Sequence, residues 1–348
     1  MYEDDGLPEE LAGSTLVRRA LPVALVLAAL ILIALLAPGL AEVRRRLSGA
    51  DPGWLAAGVL LEALSCASYV VMFRPVFSPR MSWRLAGEIS AAELGVGSLV
   101  PTSGVAGLAL GGWVLHRGGM PADRVARRSV AFFVLKSGVN FVAVVVLGLL
   151  LAVGLIGPPQ PWWLTIVPAL GAALVIVLVV LAPRVGPGPA PPADASRTQR
   201  ALSAVRSALV RGGREGLAVA RRPRPSLLAG AVGYWIFDNA VLWASYHAVG
   251  VVPPASVVLM GYLIGQLGGA LPLPGGVGGI DLGLVGTLVA YGAPAAPTAA
   301  AVLAYRLILF WLPLGLGVLG AAGLRARLRD PAGFLLESPA VSAAGPAR

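Results

Sequence analysis

Residues 255–291 read ASVVLMGYLIGQLGGALPLPGGVGGIDLGLVGTLVAY. Two apolar arms, 255–271 and 278–291, flank a break at Pro272-Leu273-Pro274-Gly275-Gly276. At ~1.5 Å per residue neither arm crosses the ~30 Å of a bilayer's hydrocarbon, so the stretch predicts a hairpin that enters and leaves on one side. Residues 85–99 and 104–116 repeat the design around Val100-Pro101-Thr102-Ser103.

The surrounding chain has 348 residues, is 57% hydrophobic and is only 13% charged. Soluble domains carry about 25% charged residues, so this composition points to a polytopic membrane protein. In lipid every backbone polar group needs an internal partner, which makes long apolar runs helices. Spanning helices are expected at about 20–41, 54–73, 125–156, 162–182, 226–249 and 297–324. The first run is longer than a signal peptide's apolar region and reads as a retained anchor. The expected fold is all-α, with six spanning helices and two re-entrant hairpins. Residues 1–19 form a tail, 20–182 a first membrane half, 183–224 a basic linker, 225–324 a second half and 325–348 a second tail.

The formal charge is +10, and Lys136 is the only lysine. The arginines sit in short connections, where the positive-inside rule accounts for them without nucleic acid. The 183–224 linker holds nine Arg against one Asp and one Glu, which places it and both termini in the cytoplasm. The first hairpin then enters from the cytoplasm and the second from outside. Arg44, Arg45 and Arg46 fall on the wrong side of this scheme, a violation that an interfacial location for residues 42–52 softens without removing. Cys66 is alone, and His116 and His247 lack ligand spacing, so no metal or other cofactor is expected.

The two halves repeat. Glu62 with Ala67-Ser68-Tyr69 corresponds to Asp238 with Ala244-Ser245-Tyr246, Pro101 to Pro274, Gly119/Pro121 to Gly292/Pro294, and Lys136 to Arg306. The offsets stay between 170 and 177 residues. Because the loops put the copies on opposite sides, this is an inverted repeat, a plan common among transporters.

Leu273-Pro274-Gly275-Gly276-Val277-Gly278-Gly279-Ile280-Asp281, then Ala304-Tyr305-Arg306-Leu307 and Trp311-Leu312-Pro313, resembles the second signature of the lysylphosphatidylglycerol synthase transmembrane-region family. Its members are also called flippase-like proteins. Leu99-Val100-Pro101-Thr102-Ser103-Gly104 resembles the other signature, and the resemblance covers nearly the whole membrane part. Many members place an Arg and a Glu just after the first hairpin's Pro; this chain departs from them, with Ser103 and Ala106 nearby. The resemblance implies lipid translocation, joined in some members to a domain that charges phosphatidylglycerol with lysine. Only 24 residues follow Leu324, so aminoacyl transfer is expected to be absent.

A charge in hydrocarbon costs roughly 2.5–3.5 kcal/mol on insertion scales, so each one calls for a partner or a wet cavity. Lys136, with Asn140 one turn further on the same face, reads as a cation facing a lipid phosphate. The alternative reading is snorkelling, or a structural ion pair with Glu62, Glu88 or Glu93. Arg306 can grip phosphate bidentately, or brace the second hairpin through Asp281. Glu62 and Asp238 are candidates for a coupling proton or ion, or counter-ions to the two bases. At the breaks, Thr102, Ser103 and Gly104, and Gly275, Gly276, Gly278 and Gly279, offer free N–H groups at half-helix starts.

Together these readings point to a translocase in the bacterial plasma membrane. Its partner would be a phospholipid or polyprenyl-phosphate lipid, and residues 197–224 could serve a homo-oligomer or another protein. The alternatives are a scaffold or regulator that binds anionic lipid through 197–224, and an enzyme acting on a lipid phosphate. No nucleophile or carboxylate–His constellation supports the enzyme.

Overall fold

A computed structural model describes residue 25 and residues 41–99, 105–185, 196–221, 224–266 and 279–328. Within them run eleven helices: α1 (Ala41–Ser48), α2 (Pro52–Phe77), α3 (Trp83–Leu99), α4 (Val105–Arg117), α5 (Ala122–Ala152), α6 (Trp162–Val185), α7 (Arg197–Arg221), α8 (Pro225–Ala248), α9 (Ala255–Gly265), α10 (Gly279–Ala290) and α11 (Ala295–Leu328). Among the described residues, five stretches are long and apolar enough to cross a membrane: α2, α5, α8, α11 and Trp162–Leu181 of α6. The expected first span, 20–41, falls almost wholly outside the described residues.

The local chemistry accounts for several boundaries. Asp51 caps α2, accepting from Gly53 N at 2.7 Å and Trp54 N at 3.3 Å, with Pro52 at the first helical position. α2 runs past its expected end to Phe77, because Pro75 enters only the last turn. The Arg74 Nε then donates to Met81 O at 2.7 Å, and its guanidinium stacks on Trp83 at 4.5 Å, turning the corner into α3. α5 ends where Gly154 (φ +72°) and Gly157 (φ +68°) reverse the chain.

The bundle has two chemically distinct ends. At one, Arg128 donates to Phe77 O at 2.9 Å, and Glu88 meets Arg84 at 3.0 Å and Arg327 at 2.5 Å. At the other, Asp51 N donates to Ala248 O at 2.9 Å and Gln160 Nε2 to Tyr291 O at 3.1 Å. There α1 lies along the bundle, with Val43 buried, Arg45 and Arg46 paired with Glu42, and Arg46 donating to Val249 O at 3.2 Å. Arg44–Arg46 therefore sit away from the arginine-rich end, with part of their charge locally neutralised. The chain leaves α2 and enters α5 at the arginine-rich end, with α3 and α4 between. It leaves α8 and enters α11 at the other end, with α9 and α10 between.

Small residues set the packing, as lipid-exposed helices require. α2 and α8 run antiparallel: a Cβ on Gly58 would lie 4.0 Å from the Ala244 Cβ, and one on Gly230 would lie 2.6 Å from Met72 N. α3 and α11 touch backbone to backbone at Gly95 and Gly317. The outside is apolar, with Leu60, Leu149, Leu170, Leu174, Trp162 and Leu319 exposed. Such a belt suits lipid and would aggregate in water.

The sequence marks the 183–224 connection only as a basic linker. Its second part is α7, a 25-residue helix docked on α5. Val210, Gly212, Gly213 and Gly216 are buried, while Arg206, Arg211, Arg214 and Arg221 are exposed. Gly212 and Gly216 let α7 approach Val130 and Ala131 of α5, and Glu215 lies 3.2 Å from Arg128 Nε and 3.7 Å from Arg127 Nε. A helix with one apolar face gains from such a surface, whereas an isolated linker does not.

Candidate functional site

The helices that cross the bundle bring their charged residues to a common centre. Lys136 lies ~21 Å along α5, a helix of 31 residues, and so near its middle. Its ammonium stands over two aromatic faces, 5.7 Å from the Tyr69 ring of α2 and 5.7 Å from the Tyr234 ring of α8. Contacts of this kind stabilise a desolvated cation by ~2 kcal/mol. The Tyr69 and Tyr234 rings pack edge to face with centroids 5.7 Å apart.

Two carboxylates are held by tyrosines. The Tyr69 hydroxyl donates to Glu93 Oε2 of α3 at 2.9 Å. Asp238 of α8 accepts from Tyr305 of α11 at 3.0 Å and from Tyr262 of α9. Both Tyr69–Glu93 and Asp238–Tyr262 are separated by 24 residues. Glu93 and Asp238 are buried, at 2% and 8% exposure. A buried charge bound only by neutral donors still needs a counter-charge, and Lys136 acts on both acids while Arg306 acts on Asp238.

The backbone of α4 completes the wall over Glu93. A Cβ on Gly111 would occupy the space of the Glu93 carboxylate, and one on Gly107 would collide with its carbonyl oxygen. Glu62, on α2, is buried beside Cys66, whose thiol lies 3.5 Å from Glu62 Oε1. Asp238 of α8 is close enough to act on it electrostatically.

Of the residues singled out from sequence, Lys136, Arg306, Glu62, Asp238 and Glu93 come together here. Asn140 is half-buried one turn beyond Lys136 and makes no hydrogen bond to the cluster among the described residues. Glu88 is not a partner of Lys136; Arg84 and Arg327 hold it at the arginine-rich end. Thr102, Ser103, Gly104, Gly275, Gly276 and Gly278 lie outside the described residues. Gly279 opens α10, and the side chain of Asp281 is likewise outside what is described.

The tyrosines and Gly107 and Gly111 were not foreseen as site residues. A signal existed: Tyr69, Tyr234, Tyr262 and Tyr305 are phenols set within apolar helices, where a hydroxyl needs a partner. Gly107 and Gly111 are spaced to clear one helix face, a pattern that marks close approach but not what approaches.

Comparison with known proteins agrees with the membrane architecture. Residues 20–317 match the family described as "Lysylphosphatidylglycerol synthase TM region". A "UPF0104 membrane protein" of Methanothermobacter thermautotrophicus is 31% identical over 86 residues, which is 24% of this chain. The match spans 26% of that curated relative, about a quarter of its length.

Proposed function

This chain belongs to the lysylphosphatidylglycerol synthase TM region family, and from that premise we propose that it moves a phosphate-bearing lipid between the leaflets of a membrane. The observation that carries the reading is the meeting of Lys136, near the middle of α5, and Arg306 with tyrosine-held acids inside the bundle. Permanent burial of so many charges costs stability, and such costs persist where a site works on a charged ligand. An arriving phosphate would take Lys136 and Arg306 as counter-charges, Arg306 through paired N–H donors and Lys136 as a point charge. The acyl chains would stay in lipid beside the apolar belt.

Alternating access follows if the two halves form an inverted repeat of six spanning helices and two re-entrant hairpins. The exchanged Tyr69–Glu93 and Asp238–Tyr262 pairs and the antiparallel α2–α8 seam favour that plan. The arginine-rich end would face the cytoplasm of a bacterial cell, with both termini there.

The test is lipid movement in proteoliposomes, using head-group-labelled phosphatidylglycerol and a polyprenyl phosphate. Lys136→Ala and Arg306→Ala should each abolish the protein-dependent movement while the proteins stay folded. Normal movement in both variants would return these residues to a purely structural role.

The exposed arginines of α7 favour a second reading, in which the chain is a scaffold that binds anionic lipid or a partner. Under that reading, replacing Arg206, Arg211 and Arg214 abolishes function; under the first it only modulates the rate.

A further inference from the structure

The three acids of the central cluster do not share its cations evenly. Glu93 has Tyr69 and Lys136. Asp238 has Tyr262, Tyr305, Lys136 and Arg306. Glu62 is 5% exposed, its Oε1 takes only the Cys66 thiol, and its Oε2 is buried without a hydrogen-bond partner among the described residues. The charged group facing it from α8 is Asp238, of the same sign. The other titratable groups around it are Cys66 on its own helix, Tyr234 on α8 and Tyr305 on α11. Lys136 and Arg306 act on Asp238, while Tyr69 donates to Glu93 and Tyr262 to Asp238.

An ionised carboxylate so placed is far costlier than a neutral acid. The charge count points the same way. Among the described residues, Glu62, Glu93 and Asp238 oppose Lys136 and Arg306, so three negative groups face two positive ones, and one proton balances them.

We propose that Glu62 binds one exchangeable proton and that this proton is the coupling ion for lipid movement, an inference that rests on the translocation reading above. The proton leaves Glu62 for water on the side to which the site is open, and returns from water on the other. Its loss leaves two like charges, Glu62 and Asp238, facing each other on α2 and α8. In a low dielectric their repulsion pushes apart the seam on which the two halves meet. Protonation closes that seam again.

The experiment uses the full chain in liposomes of phosphatidylglycerol, as wild type, Glu62→Gln, Glu62→Asp and Glu93→Gln. Infrared difference spectra taken across a step in pH should contain a carboxylic-acid C=O band that shifts in D2O. That band should vanish in Glu62→Gln, move in Glu62→Asp and persist in Glu93→Gln. In parallel, an imposed pH gradient should accelerate lipid movement in the wild type. The ratio of rates with and without the gradient should fall to unity in Glu62→Gln. A band that is absent from the wild type, or that survives in Glu62→Gln, overturns the proposal; so does an unchanged rate ratio in Glu62→Gln. A wild type that shows the band but moves no lipid under any gradient overturns the translocation reading and leaves the proton site standing.

Discussion

The Tyr69 ring lies 5.7 Å from the Lys136 ammonium while its hydroxyl, at the opposite edge of its chemistry, holds Glu93 at 2.9 Å. One phenol thus links the cation of α5 to the acid of α3. Tyr234 supplies the second ring from α8, so Lys136 is gripped by both helices of the central seam.

Removing only the Tyr69 hydroxyl separates these two tasks. Tyr69→Phe keeps the ring under Lys136 and leaves Glu93 without its hydrogen bond, since Glu93 Oε1 already has none. An unsatisfied buried acceptor costs about 1–3 kcal/mol, so the melting temperature in detergent should fall and lipid movement should slow. A variant as stable and as active as wild type would show that Glu93 finds another partner.

Gly95 and Gly317 bring α3 and α11 into backbone contact; a Cβ on Gly95 would sit 2.7 Å from the Gly317 Cα. Backbone cannot step aside as a side-chain tip can. Gly95→Leu should therefore destabilise by about 1–3 kcal/mol or more, whereas Gly87→Leu, with open space around it, should cost much less. Thermal unfolding followed by tryptophan fluorescence distinguishes them, and equal losses would refute the contact.

The docking of α7 can be undone at one residue. A Cβ on Gly212 would run into Val130 and the Arg127 carbonyl of α5. Gly212→Leu should release α7 and expose it to trypsin, since the helix is rich in arginine. Glu215→Ala should do far less. Its ion pairs with Arg127 and Arg128 involve side chains about a third exposed, and such surface pairs contribute ~0–1 kcal/mol. Limited proteolysis of the two variants side by side gives the answer.

The orientation is open to direct chemistry. Arg206 and Pro158 are exposed at opposite ends of the bundle, and Cys66, at 6% exposure, is a built-in unreactive control. A membrane-impermeant maleimide added to intact cells should label Pro158→Cys and spare Arg206→Cys. Disrupted cells should label both. The reverse pattern would invert the assignment of the arginine-rich end.

These outcomes divide along a line that the chain itself draws. Whether a segment crosses lipid depends on its own length and apolarity, so α2, α5, α6, α8 and α11 were legible from residue runs, and so was the concentration of arginine at one end. Lys136, Arg306, Glu62, Asp238 and Glu93 stood out for the same local reason: each is a charge in an apolar helix. Which of them face one another depends on helix rotation and crossing, and those are decided by contacts between residues far apart in sequence. Only the tertiary structure sends Glu88 to Arg327 and not to Lys136, sets Tyr69 and Tyr234 under the one lysine, and leaves Glu62 with a thiol and a like charge. The same holds for α7, whose glycines mean nothing in isolation and become a docking surface when α5 offers Val130 and Ala131. Local hydrophobicity thus settles what enters the membrane, and close packing between helices settles which polar groups meet there.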